Sequence, residues 1–282
     1  MTDELRGDEI AREIRGDVVR RAAELRAGGV TPTLAIVLAT EDGGALWYSR
    51  AIAKAAEKEG IECRLLELSP ESGSAEIAAA IEELAGDDAV HGVILQTPLP
   101  PGVDAAELAD AIPLGKDVDG MSALSAGHLS LGRRSYAPAT AEAVMRILRS
   151  HEVELAGTEV AIVGRSAVVG KPLAQLLLGE DATVTVCHSK TRDLPQVTSR
   201  ADVLVVAVGR ARFAGAELVK PGATVIDVGT NAESDGSLAG DVDAAAVEGV
   251  AGALTPVPGG VGPVTTATLL LHTVEAAQAA AG

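Results

Sequence analysis

Gly164, Arg165, Ser166 and Gly170 stand in the order G-R-S-x-x-x-G between two apolar runs, EVAIVG (159–164) and KPLAQLLL (171–178). Residues of these types at this spacing can hold a phosphate. The first run is rich in β-branched residues, as a buried parallel strand is. Pro172 falls in the first turn of the following helix, where its missing N–H costs nothing. The unpaired N–H groups at such a helix start attract an anion. The spacing departs from G-x-G-x-x-G, so an ordinary strand–turn–helix of any α/β domain is the alternative reading.

The next strand narrows the chemistry. ATVTVC (182–187) alternates as a strand does, about 20 residues beyond the first glycine. In a dinucleotide fold the residue closing this strand faces the adenine ribose, and an Asp or Glu there would take the 2′-OH of NAD. Here the strand closes on His188, Ser189, Lys190, Thr191 and Arg192. A hydroxyl followed by cations suits a 2′-phosphate, and Arg165 can add a bidentate contact. The pattern favours NADP over NAD, with Asp193 the one nearby acid against it. ADVLVVAVG (201–209) and ATVIDVG (223–229) extend the series of strands, which predicts an α/β, Rossmann-like domain.

The elements that must position these groups fit a chain of 282 residues, enough for two modest domains. A hydrophobic content of 47% excludes a disordered chain. Cys63 and Cys187 make no metal or disulfide pattern. The net charge is 23 − 40 = −17, a balance that repels nucleic acid and anionic membrane surfaces. No apolar run reaches the roughly 18 residues of a membrane span. The charged start MTDELRGDEIAREI is unlike a signal peptide, so the cytoplasm is expected.

Ahead of the nucleotide unit lies a second α/β region. Residues 3–27 read as one amphipathic helix, 34–39 as a buried strand, 46–58 as a helix, 61–68 as a strand, 75–84 as a helix and 89–96 as a strand. TPLPPG (97–102) ends that strand; 104–112 is helical, and 113–122 is a loop. Residues 140–151 form a helix leading into the nucleotide unit. LTPVPGGVGPVT (254–265) is a Pro/Gly-rich loop, and 265–278 a last apolar helix. The expected domains are 1–139 with 264–282, and 140–263, with a cleft between them.

Gln96 closes a strand, where ligands of α/β folds bind. Asp119 could accept two N–H groups from a flat heterocycle, or simply form the turn before Gly120. Tyr48 offers a ring face and a hydroxyl. The glycines of 259–262 permit close backbone approach to a ligand, or form an inert turn. Trp47 reads equally as core filler.

The stretches GVILQTPLP (92–100), KDVDG (116–120), VGRSAVVGKP (163–172), CHSKT (187–191), KPGATVIDVGTN (220–231), GDVD (240–243) and TPVPGGVGP (255–263) run in order over nearly the whole chain. In that order they resemble the methylenetetrahydrofolate dehydrogenase/cyclohydrolase family. The resemblance implies a two-domain α/β fold, usually a homodimer, with NADP on the second domain and a tetrahydrofolate derivative as substrate. It implies hydride transfer from 5,10-methylene-tetrahydrofolate, usually followed by hydrolysis of the methenyl product. It assigns Gly164, Arg165, Ser166, Ser189 and Thr230 to the cofactor. Tyr48, Gln96, Asp119, Pro258, Gly259 and Gly260 go to the folate, the first three as catalytic residues.

One departure bears on the reaction. The family's helix reads Y-x-x-x-K, and its lysine handles protons in the hydrolytic step. Here the fourth residue after Tyr48 is Ile52. On a helix, position i+4 lies ~40° from Tyr48 and i+6, Lys54, about 120° away. Arg50 faces nearly opposite, and a guanidinium is a poor proton shuttle. The expectation is a dehydrogenase whose cyclohydrolase activity is weak or absent, with the full bifunctional enzyme, or a non-folate or non-catalytic NADP-binding relative, as alternatives. Further departures, Met121–Ser125 and Pro138–Ala141, also fall on the folate side.

Overall fold

The computed structural model describes residues 2–233 and 235–282. In chain order the elements are β1 (Asp3–Glu4), α1 (Asp8–Ala27), β2 (Thr33–Leu38), α2 (Gly43–Lys58), β3 (Glu62–Glu67), α3 (Ser74–Gly86), β4 (Gly92–Leu95), α4 (Ala105–Ala109), α5 (Ala123–Ser130) and α6 (Ala139–Ser150). Then come β5 (Glu159–Val163), α7 (Gly170–Leu178), β6 (Thr183–Cys187), α8 (Leu194–Thr198), β7 (Val203–Val206), β8 (Thr224–Asp227), β9 (Asn231–Ala232), β10 (Leu238–Ala239), α9 (Ala244–Val247), β11 (Ala253–Leu254) and α10 (Val261–Ala281). The chain forms two compact α/β units, Glu13–Ala139 with Thr266–Gly282, and Met1–Arg12 with Thr140–Thr265.

The first of these units is built on a parallel sheet ordered β3-β2-β4. Every residue of β2, TLAIVL, is buried, as a central parallel strand covered on both faces requires. Ile77 and Ile81 of α3 pack with Ala35, Val37, Val93 and Leu95 in one core cluster. Asp42 caps α2 by accepting the Ala45 N–H at 2.8 Å. The buried face of α2 is Ala45, Ser49, Ile52, Ala53 and Ala56, a 3.6-residue stripe set by small and apolar side chains.

The second unit carries a six-stranded sheet ordered β1-β11-β8-β7-β5-β6, parallel at every pairing. After β1, the chain returns to this sheet at β5, adds β6 on one side, then crosses to add β7 and β8 on the other. Such a reversal is the topological switch point at which open α/β sheets bind ligands, outside the carboxyl ends of the strands.

Two expectations are corrected. Residues 3–27 are not one helix: Asp3 and Glu4 form β1 alongside Ala253 and Leu254, and the Leu5 N–H donates to the Leu254 carbonyl at 2.9 Å. Backbone pairing to β11 overrides the helical pattern there and groups residues 1–12 with the nucleotide unit. The last helix starts at Val261 rather than 265, because Pro263 is tolerated in a first turn. An unexpected helix, α5, follows the 113–122 loop; Ser122 caps it by accepting the Ser125 N–H at 3.1 Å.

Candidate functional site

The nucleotide turn is fixed by main-chain contacts. Gly164 ends β5 at φ +136°, and a Cβ there would lie 2.2 Å from the Ala207 carbonyl oxygen. A Cβ on Gly170 would lie 2.2 Å from the Gly164 oxygen. Only glycine allows β5, β7 and the start of α7 to approach this closely. Between them Arg165 and Ser166 are exposed. The Ser166 hydroxyl accepts the Val169 N–H at 3.2 Å, shaping the turn. At the end of β6, the Thr191 hydroxyl accepts the His188 N–H at 2.9 Å, and the His188 Nδ1 accepts the Lys190 N–H at 3.1 Å. That closes a tight turn with Ser189 and Lys190 exposed at its tip. Asp193 takes a left-handed conformation at φ 48°, and its side chain does not cap α8. Thr230 is exposed just past β8. A glycine cradle at the switch point, with hydroxyls and cations exposed beside it, fits a phosphate-bearing dinucleotide.

Two acids missed as site-builders act at the carboxyl ends of neighbouring strands of this sheet. Asp241 is fully buried and accepts the N–H groups of Val208, Gly209 and Arg210 at 2.6–2.8 Å, plus the Asn231 amide at 3.0 Å. Asp227 accepts from Gly229, Asp241 and Val242 at 2.8–2.9 Å. Burial nevertheless pushes the Asp227 carboxyl up to about 6. The two carboxylates lock the loops after β7 and β8. Their motif, G-D-V-D with D-V-G-T-N, is visible in the sequence, but its network is not.

The other unit brings Tyr48, Asp119 and Gln96 onto neighbouring elements. Tyr48 is half-buried on α2; its phenol hydrogen-bonds with Thr266, and the charge of Asp119 is near enough to act on it. Loss of solvent, then that carboxylate, pushes the phenol well above its usual range. Asp119 is also half-buried. Its Oδ1 accepts the Ala139 N–H at 3.4 Å, and desolvation raises its pKa to about 6. The neighbouring Asp117 is the turn-builder: fully buried, it accepts from Met121 and Ser122 N–H at 2.9 Å and from the Ser125 hydroxyl at 2.6 Å. Gln96, at the carboxyl end of β4, accepts from the Ser49 hydroxyl at 3.3 Å and donates to the Thr97 carbonyl at 2.8 Å.

Ile52 has no exposed surface. Of the lysines in this unit, Lys54 and Lys58 are exposed, and the Lys116 ammonium donates to the Ala85 and Asp87 carbonyls at 2.8 Å each. Trp47 is not core filler; 67% of it is exposed. Thr266 and His272 of α10 were not anticipated in this group; a lone imidazole in the apolar run TLLLHTV is their one sequence signal.

The glycine loop lies in the nucleotide unit. Gly7 donates its N–H to the Gly259 oxygen at 2.8 Å, and a Cβ on Gly7 would lie 2.1 Å from the Gly260 oxygen. The close approach that Gly259 and Gly260 permit is thus met by the chain's own residues 6–8. Pro258 remains exposed beside them.

Residues 5–119 match the catalytic domain of tetrahydrofolate dehydrogenase/cyclohydrolase, and residues 138–281 match its NAD(P)-binding domain. The chain belongs to that family. It is 54% identical to the bifunctional protein FolD 1 of Saccharopolyspora erythraea over 98% of this chain and 94% of that protein. The bifunctional FolD of Campylobacter jejuni superposes with a TM-score of 0.95 at 36% identity, covering 99% of each chain. The Trypanosoma brucei enzyme, solved with NADP and an inhibitor, superposes with a TM-score of 0.94 at 33% identity, covering 99% of this chain and 98% of that one. The expected two-domain α/β fold and the nicotinamide dinucleotide as cofactor are both borne out. Among the described residues, no helix is long and apolar enough to cross a membrane.

Proposed function

We propose that the chain is an NADP-dependent 5,10-methylene-tetrahydrofolate dehydrogenase with a weak hydrolytic step. The bound nicotinamide would supply a hydride acceptor. Gly164, Gly170 and the start of α7 would seat the phosphates, and Arg165, Ser166 and Ser189 the adenosine end, with Thr230 on the nicotinamide side. The cations at 190 and 192 favour the 2′-phosphate over a bare ribose. Asp119, when ionised, can accept the ring and amino N–H groups of a pterin, and Tyr48 presents its ring to the substrate. Gln96, fixed by Ser49, directs its amide toward the same strand end.

Hydride transfer depends on holding donor and acceptor carbons in near-attack geometry. It requires no base at position 52. Hydrolysis of the methenyl product requires a water to lose a proton and a ring nitrogen to gain one. A tuned side chain there contributes typically ~10²–10⁴-fold. The observation that carries the reading is the buried hydrocarbon at Ile52, where the family's pattern has its lysine. A second reading, the full bifunctional enzyme, is favoured by the names of the relatives. One assay sorts the readings: mixing NADP, methylene-tetrahydrofolate and protein should yield reduced nicotinamide, with methenyl-tetrahydrofolate accumulating. No reduced nicotinamide overturns the dehydrogenase; prompt conversion to the formyl product favours the bifunctional enzyme.

A further inference from the structure

His272 lies on α10 with 2% of its surface exposed. Its Nδ1 is 2.8 Å from the Val118 carbonyl oxygen. A carbonyl can only accept, so Nδ1 carries the proton. The ring packs on Tyr136 with centroids 4.9 Å apart and planes tilted by 38°. Val118 is fully buried and precedes Asp119. On the other side, Gly120 adopts φ +60°, and a Cβ there would lie 2.5 Å from the Tyr136 oxygen and 2.8 Å from the Pro138 nitrogen. The peptide carrying Asp119 is therefore held between an imidazole and the 136–139 segment.

We propose that His272 is a positioning residue for Asp119: it fixes the Val118–Asp119 peptide and favours the charged carboxylate that a pterin's N–H groups require. The proposal rests on the folate reading above. The imidazole acts on Asp119 in the stabilising direction, while Asp117 on the same loop acts against ionisation. Tyr48 faces Asp119 from α2; Tyr136 lies against His272, and Glu275 and Arg134 act on Tyr136. The imidazole, acting in that direction, offsets part of the cost of charging a desolvated carboxyl.

Two variants separate the hydrogen bond from the charge. His272→Asn places an amide N–H the same number of bonds from Cβ as Nδ1, so the donor to Val118 survives and the imidazole's effect on the Asp119 charge does not. His272→Leu removes both. The Asp119 carboxyl is followed by its infrared titration in the ligand-free protein, assigned with Asp119→Asn, and the folate KM is measured from pH 5 to 8. Both variants should move the carboxyl titration, and the acid limb of KM, to higher pH. At pH 8, His272→Leu should raise the folate KM roughly 10-fold, with NADP affinity unchanged, and His272→Asn should stay near the parent value. If the titration stays put in His272→Asn, or if a folded His272→Leu keeps the parent KM at pH 8, the proposal falls. Should His272→Leu not fold, the His272→Asn titration decides. The titration needs no turnover, so it is decided even if the unaltered protein forms no reduced nicotinamide.

Discussion

The nucleotide turn and the α2 face differ in what fixes them. At the turn, Gly164 and Gly170 are set by main-chain approaches that would bring a Cβ to 2.2 Å from a carbonyl oxygen. Any side chain at either position strains the backbone itself. On α2, Ile52 is a buried side chain on a regular helix, a position whose backbone geometry demands no particular residue. A site made from backbone geometry resists change, because changing it damages the fold. A site made from one side chain can lose a chemical step while the fold is kept.

The first way to break this comparison is to return an amine to α2. Ile52→Lys should raise methenyl-tetrahydrofolate hydrolysis by ~10²–10⁴-fold, with dehydrogenase turnover changed far less. Hydrolysis and nicotinamide reduction measured on one preparation check this; equal hydrolysis in parent and folded variant would show that another group already does the work. Next, Asp119→Asn should raise the folate KM by ~10–150-fold, the worth of hydrogen bonds to a charged acceptor, with NADP affinity unchanged in fluorescence titration. A similar loss of NADP affinity would mean the two regions are not separable. On the nucleotide side, Arg165→Ala should weaken NADP by roughly 10-fold and leave NAD little changed. An equal loss for both cofactors would place Arg165 off the 2′-phosphate.

The smallest effect comes from pH. Desolvation raises Asp119 to about 6, so its proton is held in the fold to higher pH than in a free chain. On the proposed pterin contact, which needs the ionised form, substrate affinity should be full well above pH 6 and fall as pH drops through it. At pH 5.5 the folate KM should be about four-fold above its value at pH 8. A KM flat down to pH 5 would mean Asp119 is not the acceptor.

The turn and the strand series were legible because glycine, proline and β-branched residues mark backbone geometry in the sequence itself. β1 was not: two residues of pairing to β11 leave no periodicity, and the helical pattern beyond them runs on. The Asp227–Asp241 network was half legible, as a motif without partners, since three consecutive N–H groups meeting one carboxylate is a tertiary fact. His272 was legible only as a lone imidazole in an apolar run. Its meaning comes from Val118, more than 150 residues away in the chain. Trp47, evenly balanced in the sequence between core filler and a site ring, is exposed; size and apolarity say nothing of which side of α2 the ring leaves from.

The most direct test of the account is the hydrolysis rate of methenyl-tetrahydrofolate by the unaltered protein, taken beside its rate of NADP reduction with methylene-tetrahydrofolate. Reduction should run at an ordinary enzymatic rate, with hydrolysis close to that of buffer. Hydrolysis keeping pace with reduction would contradict it, and would mean that protons are managed at this site without the lysine.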